Sequence, residues 1–328
     1  MREMRDSGVE WIGEIPEDWN VGKTLYALSM PITDGPHETP ELFDEGIPFI
    51  SAEAVSCGNG HIDFEHIRGF ISQEFYEECC KKYIPQINDI YMIKSGATTG
   101  KVAKVETQKL FTIWSPLAVF RVKPQKCYYE YLYYFIQSDA YQKQIENKWT
   151  YGTQQNIGMR TLEKLLICFP SITQQKLIAD YLDAKCSKIN EIIEKQQAII
   201  EKLKEYKLSV IIETVTKGLN PNVEMKDSGV EWIGQMPTSW DCTTVGRIAM
   251  VVRGASPRPA GDPLYFNGND VPWITVAEVT KGDGKYIDGT ETFLTFEGAK
   301  QSRIVEEGTL LLSNSGATLG VPKITRIR

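Results

Sequence analysis

The sequence lacks the features that mark a chain for the membrane or for export. No run of apolar residues approaches the roughly 18 that a spanning helix needs, and the N-terminal segment MREMRDSGVEW has no apolar core of a secretory signal. The seven cysteines are odd in number and show no CxxC spacing. We therefore expect reduced thiols in a cytoplasmic protein that binds no membrane.

Basic charge and histidine are also scarce. Lysine and arginine number 36 against 43 acidic residues, so the net charge is −7. A general binder of polyanions would carry a basic excess, so any contact with nucleic acid would need locally clustered lysine and arginine. Three histidines leave little material for a Ser-His-Asp or Cys-His arrangement. With 42% hydrophobic residues, the 328-residue chain has globular composition and room for about two domains.

What the sequence does contain is a long internal repeat. The segment DSGVEWIGEIPEDW at 6–19 returns as DSGVEWIGQMPTSW at 227–240, with ten of fourteen positions identical. IPFIS at 47–51 returns as VPWIT at 271–275, and SGATTG at 95–100 returns as SGATLG at 315–320. One module is therefore used twice, with a fixed framework and a divergent interior. The second copy reaches Arg328, which matches about position 108 of the first, so we expect a truncated second copy, either a fragment or a natural short form.

The first copy alternates short β-rich runs with turns and helical segments. Strands are predicted at 47–50, 89–94, 102–105, 117–122 and 165–169, and helices at 73–83 and 128–147. This pattern predicts an α+β domain.

Residues 173–217 differ in kind, because they contain neither proline nor glycine and interleave lysine with glutamate. Thr173 is a candidate N-cap and Gly218 a candidate stop for one helix of about 65 Å. Its heptad positions form an apolar seam, namely Leu182, Ile189, Ile192, Ile199, Leu203, Tyr206 and Val210. A helix with a single seam needs a partner helix, so self-association through it is a hypothesis. The predicted domains are 1–170, the helix region 171–222, and 223–328.

Several segments closely resemble type I restriction-modification specificity (S) subunits, and the resemblance covers essentially the whole chain. They are 204–207, 216–221 and 226–234, the block Thr153-Gln154-Gln155-Asn156-Ile157, and the helix entry from Pro170 through Gln174-Gln175. The resemblance implies two target-recognition domains, the second incomplete, joined by a long coiled-coil spacer helix. In that family each domain reads one half of a split site in double-stranded DNA, and the helices set the gap. The helices also dock methyltransferase subunits, and motor-nuclease subunits join the complex.

The resemblance further implies that this chain performs no chemistry and holds no metal or cofactor. S-adenosylmethionine, ATP and magnesium belong to the other subunits of the family's complex. In this sequence the second copy has no counterpart of the Gln-Gln-Asn block or of a second helix. That departure puts the reading of a second half-site in question.

Candidate DNA contacts are polar and basic residues in loops, since Gln, Asn, Arg, Ser and Thr read base edges while Lys holds phosphates. In the first copy they are Lys94, Ser95, Thr98, Thr99, Lys101, Tyr151, Thr153, Gln154, Gln155, Asn156 and Arg160. In the second copy they are Arg253, Ser256, Arg258, Ser313, Asn314 and Thr318.

Other interpretations compete with these. The Ser-Gly-Ala-Thr-x-Gly loop recurs in both copies, which favours a turn or a phosphate contact over base reading, and the Thr-Gln-Gln-Asn block could cap a neighbouring element. The loop is not a P-loop, because three residues separate Gly96 from Gly100 where four are required. Cys57, His61 and His66 supply an incomplete zinc set, so ordinary loop residues are favoured. The main rival function is a coiled-coil adaptor that docks partners without reading DNA; an enzyme ranks third.

Overall fold

The computed structural model describes residues 3–151, 155–266, 268–315 and 318–327, with the backbone alone at 150 and 151. The chain divides into two compact units, Met1–Tyr206 and Lys207–Arg328. No helix among the described residues is long and apolar enough to cross a membrane.

The first unit opens with a hairpin built from the repeated segment. Strands β1 (Met4–Asp6) and β2 (Glu14–Pro16) pair antiparallel. The Asp6 carboxylate accepts a hydrogen bond from the amide of Gly8 at 2.9 Å. Gly8 has φ +73°, a conformation that glycine adopts without strain. The repeated Asp-Ser-Gly motif is therefore a turn signal.

The remainder of the first unit is a mixed α+β domain, as predicted. Its elements are β3 (Asn20–Lys23), a 3-10 turn (Thr24–Ala27), β4 (Thr33–Asp34), β5 (Ile47–Ile50), α1 (Ala52–Cys57), β6 (Gly69–Ile71), α2 (Gln73–Lys82), β7 (Ile90–Ile93), β8 (Val102–Lys104), β9 (Thr112–Ile113), β10 (Leu117–Phe120), α3 (Tyr129–Gln137), α4 (Asp139–Glu146), β11 (Thr150–Tyr151), β12 (Gln155–Asn156), α5 (Met159–Leu162) and β13 (Leu166–Phe169). All five predicted strands and the helix at 73–83 are present. The single helix predicted at 128–147 is wrong, because Ser138 is extended and its hydroxyl caps α4.

Besides the pair β11–β12, three sheets organise this domain, in the orders β4-β10-β7-β8, β6-β5-β9 and β13-β3. Strands β7 and β10 are buried on both faces. Alternate residues of β7 serve two cores: Ile90 and Met92 pack with α3 and α4, whereas Tyr91 and Ile93 face α1 and β9. Burial on both faces explains why these strands are continuous apolar runs.

The long helix α6 (Ile172–Lys217) follows directly. Ser171 caps it: its hydroxyl accepts from the Gln174 amide at 3.3 Å, while Gln174 Oε1 accepts from the Ser171 amide at 3.1 Å. The predicted cap at Thr173 is therefore wrong, because this reciprocal capping box uses Ser171. The predicted stop is confirmed, since Gly218 has φ +78° and its amide donates to the carbonyl of Thr214.

The second unit repeats three of the strand pairings of the first. Its elements, beyond the end of α6, are β14 (Met225–Asp227), β15 (Gln235–Pro237), α7 (Val245–Ile248), α8 (Pro263–Phe266), β16 (Val271–Pro272), α9 (Val276–Thr280), β17 (Tyr286–Ile287), β18 (Phe293–Leu294), α10 (Phe296–Lys300), β19 (Leu310–Leu312) and β20 (Pro322–Thr325). Hairpin β14–β15 has the register of β1–β2, β16–β18 that of β5–β6, and β19–β20 that of β7–β8. The sequence repeat is thus a repeat of structure.

Candidate nucleic-acid interface

Two predicted segments of the first unit, 60 residues apart in sequence, lie side by side. The amide of Gly96 donates to the carbonyl of Gln155 at 3.0 Å, and the amide of Ile157 donates to the carbonyl of Lys94 at 2.9 Å. Ser95 and Asn156 form an antiparallel bridge between these bonds. The side chains of Gln155 and Asn156 are exposed. The candidate base-reading residues Gln155 and Asn156 therefore belong to one surface with the loop at 95–100, which we call the glycine loop. The sequence alone did not pair these two segments.

The predicted contacts Thr153 and Gln154 lie outside the described residues, as does the side chain of Tyr151. Thr98 is half-buried, and its carbonyl accepts the amide of Lys101. Arg160 is exposed on α5. DNA contact by each of these residues stays a prediction.

The glycine loop is shaped largely by its own hydrogen bonds. The Thr99 hydroxyl donates to the carbonyl of Gly96 at 2.7 Å. Gly100 has φ +94°, and a Cβ there would lie 2.3 Å from Oε1 of Gln142. The Gln142 amide in turn donates to the Gly100 carbonyl at 3.2 Å. These contacts favour the turn interpretation for Thr99 and Gly100, and ligand contact by Ser95 stays a prediction.

The two lysines of the loop have different surroundings. Lys94 is largely buried, with its ammonium 3.3 Å from the carboxylate of Asp34. Asp34 is 1% exposed and also contacts Lys82 at 2.5 Å and His37 at 3.1 Å. Sequence reasoning missed this carboxylate, because its signal is only an acid at the end of a short strand. Asp34 therefore anchors Lys94, which directly precedes the glycine loop, through an ion pair.

Lys101 is exposed and lines a groove of about 990 Å³ between the domain and α6. Its ammonium donates to the carbonyl of Ser56 at 3.3 Å. Tyr134 and Asp183 line the same groove and are hydrogen-bonded to each other. Burial and the neighbouring Asp183 carboxylate raise the pKa of Tyr134 above its usual range, so this hydroxyl remains a donor.

The candidates of the second unit are mostly exposed. Arg253, Ser256, Arg258, Asn314 and Thr318 have exposed side chains.

Ser313 differs, being 2% exposed, with its hydroxyl accepting the Val321 amide at 2.9 Å and donating to the Thr318 carbonyl. Ser313 therefore closes its loop, and DNA contact by these residues stays a prediction.

The histidines considered for zinc are each held by a separate carboxylate. His61 Nδ1 lies 2.5 Å from Glu106, and His66 Nδ1 lies 2.7 Å from Asp63. The backbone amide of Glu65, followed by His66, lowers the pKa of Asp63. Across the described ranges no three His, Cys, Asp or Glu side chains cluster as a metal site would require.

A buried glutamine joins the domain to the long helix. Gln175 is fully buried, and its Oε1 accepts the amide of Tyr128 at 2.8 Å. Its amide nitrogen donates to the carbonyls of Pro170 at 2.9 Å and Lys126 at 3.3 Å. One turn later, Ala179 is also fully buried. The start of α6 is therefore part of the domain's core, a role that the Gln-Gln pair did not reveal from sequence.

Beyond this joint the helix is solvent-exposed. The seam residues Ile189, Ile192, Ile199, Leu203, Tyr206 and Val210 are all exposed, while Leu182 is partly covered. An apolar stripe of this length on a surface is typical of a helix that binds another helix.

Residues 36–205 match the family model described as the type I restriction modification DNA specificity domain. The protein named type I restriction enzyme MjaX specificity subunit, from Methanocaldococcus jannaschii, is 28% identical over 272 residues, covering 80% of this chain and 60% of the relative. The StySPI specificity subunit of Salmonella potsdam is 22% identical over 296 residues, covering 89% of this chain and 60% of the relative. This chain thus spans about 60% of the length of these relatives.

The fold has a match among solved structures. The crystal structure of the HsdS subunit from Thermoanaerobacter tengcongensis aligns with a TM-score of 0.50 and 16% identity, over 95% of this chain and 73% of that one. Because the family model covers more than half of the sequence, this chain belongs to the family of type I restriction-modification DNA specificity domains.

Proposed function

We propose that this chain gives a type I restriction-modification complex its DNA sequence specificity, and that the first unit reads one half of a split site. The observation that carries the proposal is the surface on which Gln155 and Asn156 meet the glycine loop at Ser95. Glutamine and asparagine side chains can make paired hydrogen bonds to adenine in the major groove. Both side chains are exposed, whereas Lys94, the neighbour of Ser95, is largely buried and forms an ion pair with Asp34.

The long helix acts as the spacer in this proposal. Its 46 residues extend about 70 Å, which is comparable with two turns of B-DNA. A spacer fixes a distance only if it is rigidly attached at its ends. The Gln175 joint supplies that attachment at the N-terminal end of α6, because three hydrogen bonds and a buried alanine hold its first turns to the domain.

The exposed seam of α6 is the surface for partners. An antiparallel helix, from a methyltransferase subunit or from a second copy of this chain, would cover its apolar side chains. Methyl transfer, ATP hydrolysis and cleavage would take place on methyltransferase and motor-nuclease subunits, which would bind S-adenosylmethionine, ATP and magnesium. This chain would contribute binding and geometry without catalytic residues.

Genome-wide methylation mapping tests the proposal. The chain is expressed with its cognate methyltransferase subunit in a host that has no methylation of its own. We expect methylation at a split motif with a fixed gap, and loss of that motif on changing Gln155 and Asn156 to alanine. Identical halves would mean that two copies of the first unit read the site, and different halves would mean that the second unit reads DNA. A soluble complex without any methylation would favour the adaptor and refute the proposal.

A further inference from the structure

Four exposed cations of the first unit lie on segments that pair with or adjoin the backbone of Leu166. Lys23 lies opposite Leu166 in the pair β3–β13. Lys164 precedes Leu166 by two residues and lies in the turn that follows α5, and Arg160 lies four residues before Lys164 on α5. Lys148 is the fourth. These four residues form what we call the cationic strip.

Lys148, in the turn directly after α4, is brought to this strip by the contacts of that helix. The side chain of Gln144 hydrogen-bonds both backbone groups of Leu166, at 2.9 Å to the carbonyl and 2.7 Å from the amide. Lys148 follows Gln144 by four residues, which is the spacing for one face of a helical turn. Glu146 falls on the opposite face of α4 by the same periodicity. The strip therefore gathers charge from β3, from α5 and from the turns that follow α4 and α5.

These cations are unpaired in a chain that pairs many of its lysines. Over the part of the chain that the structure describes, the strip's four side chains have no carboxylate at ion-pairing distance. By contrast, Lys143 on α4 pairs with Asp139 at 2.6 Å, and Lys81 pairs with Glu78. The nearby carboxylate of Glu163 is engaged by the amide of Ile32 at 3.0 Å. The strip is thus a local excess of positive charge on a chain whose net charge is −7.

We infer that the cationic strip binds backbone phosphates of double-stranded DNA. It begins four residues beyond Asn156, so it adjoins the surface proposed to read bases. Phosphate contacts fix the register of a protein on the duplex, and base contacts then select the sequence. The acidic chain needs such a local cluster, because its overall charge repels DNA. This inference rests on the proposed function and names the phosphate-binding part of its site.

Duplex binding by the full chain, measured against salt, tests the strip. A labelled duplex of random sequence, about 30 base pairs long, is titrated between about 50 and 200 mM salt. The test variant is Arg160→Gln with Lys164→Gln. The matched control is Lys81→Gln with Lys143→Gln, which removes the same charge from paired lysines. We expect the slope of log affinity against log salt to become shallower by about two in the test variant, since each lost phosphate contact removes about 0.9. The control should retain the parent slope.

Four outcomes would overturn the inference. An unchanged slope in the test variant, with the parent binding DNA, would refute the strip and leave the proposed function standing. If the slope became shallower by the same amount in the test and control variants, the net charge of the chain, and not the strip, would explain the change. If the test variant keeps its slope but no longer binds the methyltransferase subunit, the strip is a protein contact instead. A parent chain that binds no duplex even at low salt would refute the proposed function as well. Thermal melting of each variant confirms that it is folded.

Discussion

Strand pairs β7–β8 and β19–β20 share a register, yet their surroundings differ. Ile90 and Met92 of β7 are fully buried, whereas the matching Leu310 and Leu312 of β19 are 67% and 62% exposed. In the first unit β10 pairs with the other edge of β7, and α3 and α4 cover its face. The comparison teaches that the repeated framework is enough to set strand pairing, while the burial of β7 comes from β10, α3 and α4, which follow the part of the first unit that the repeat covers.

The largest difference in the free energy of unfolding should come from replacing a buried acid of the first unit, because the matching residue of the second unit is uncharged. Asp89 is 1% exposed and accepts two bonds of 2.7 Å from Arg121. Thr309 is the matching residue, and its hydroxyl donates to the Glu306 carbonyl. We expect Asp89→Ala to lower the free energy of unfolding of the first unit by about 3 kcal/mol, because Arg121 loses its partner. Thr309→Val should cost less than about 1 kcal/mol in the second unit. Urea denaturation measures both, and equal losses would contradict the comparison.

The second test truncates the matched apolar side chains themselves. Ile90→Ala should lower the free energy of unfolding of the first unit by about 2 to 4 kcal/mol, since it leaves a cavity in a closed core. Leu310→Ala should cost less than about 1 kcal/mol, because the side chain is already in water. The same denaturation curves report both effects. A Leu310→Ala loss as large as that of Ile90→Ala would show that β19 is covered in solution.

The third test compares two glutamines of α6, Gln175 at the joint and the exposed Gln196, which occupies the heptad position between the seam residues Ile192 and Ile199. Gln175→Leu should destabilise the first unit by about 2 kcal/mol, because it leaves the Tyr128 amide and two carbonyls without a partner. Gln196→Leu should change stability by less than about 0.5 kcal/mol and should strengthen self-association. Analytical ultracentrifugation beside the melting curves separates these effects. A neutral Gln175→Leu would remove the argument for a rigid spacer.

The smallest expected effect is a pH dependence that separates a buried thiol from an exposed one. Burial raises the pKa of Cys127 from 9.0 to about 12. The neutral thiol is favoured in the folded state, so its contribution is complete below pH 9 and declines as the pH rises towards 12. By pH 10 this thiol should account for about 1 kcal/mol of the stability that the first unit loses, and Cys127→Ala should remove that share. Burial raises the pKa of Cys168 to about 11 as well, so part of the loss should persist in Cys127→Ala. Replacing the exposed Cys242 of the second unit by alanine is the control and should leave the pH dependence intact.

Most elements of the first unit could be predicted from sequence, because strands buried on both faces are continuous apolar runs and α2 has a clear periodicity. The errors lie where one side chain overrides a pattern. Ser138 divides an otherwise continuous helical segment, since its hydroxyl caps α4. Ser171 starts α6 two residues before the predicted cap, because Gln174 completes a capping box with it.

The candidate site was predicted only as a set of residue types. The sequence indicated polar loops, but the pairing of the loop at Ser95 with Asn156 depends on strands brought together from distant parts of the chain. The same is true of Asp34 beneath Lys94, and of the cationic strip around Leu166. Long-range contacts of this kind have no periodic signal, so composition and spacing could not predict them.

By itself, the sequence determined the repeat, the α+β class of the first unit and the single long helix with one apolar seam. These follow from local patterns of hydrophobicity, turn residues and caps, which act over a few residues. Tertiary structure decided which of the candidate polar side chains are exposed and which hold a loop together. Ser313 and Thr99 form hydrogen bonds within their own loops, whereas Gln155 and Asn156 are exposed. The reason is physical: a hydroxyl or amide has the same chemistry everywhere, and only its neighbours in space determine whether it is buried in the fold or faces solvent.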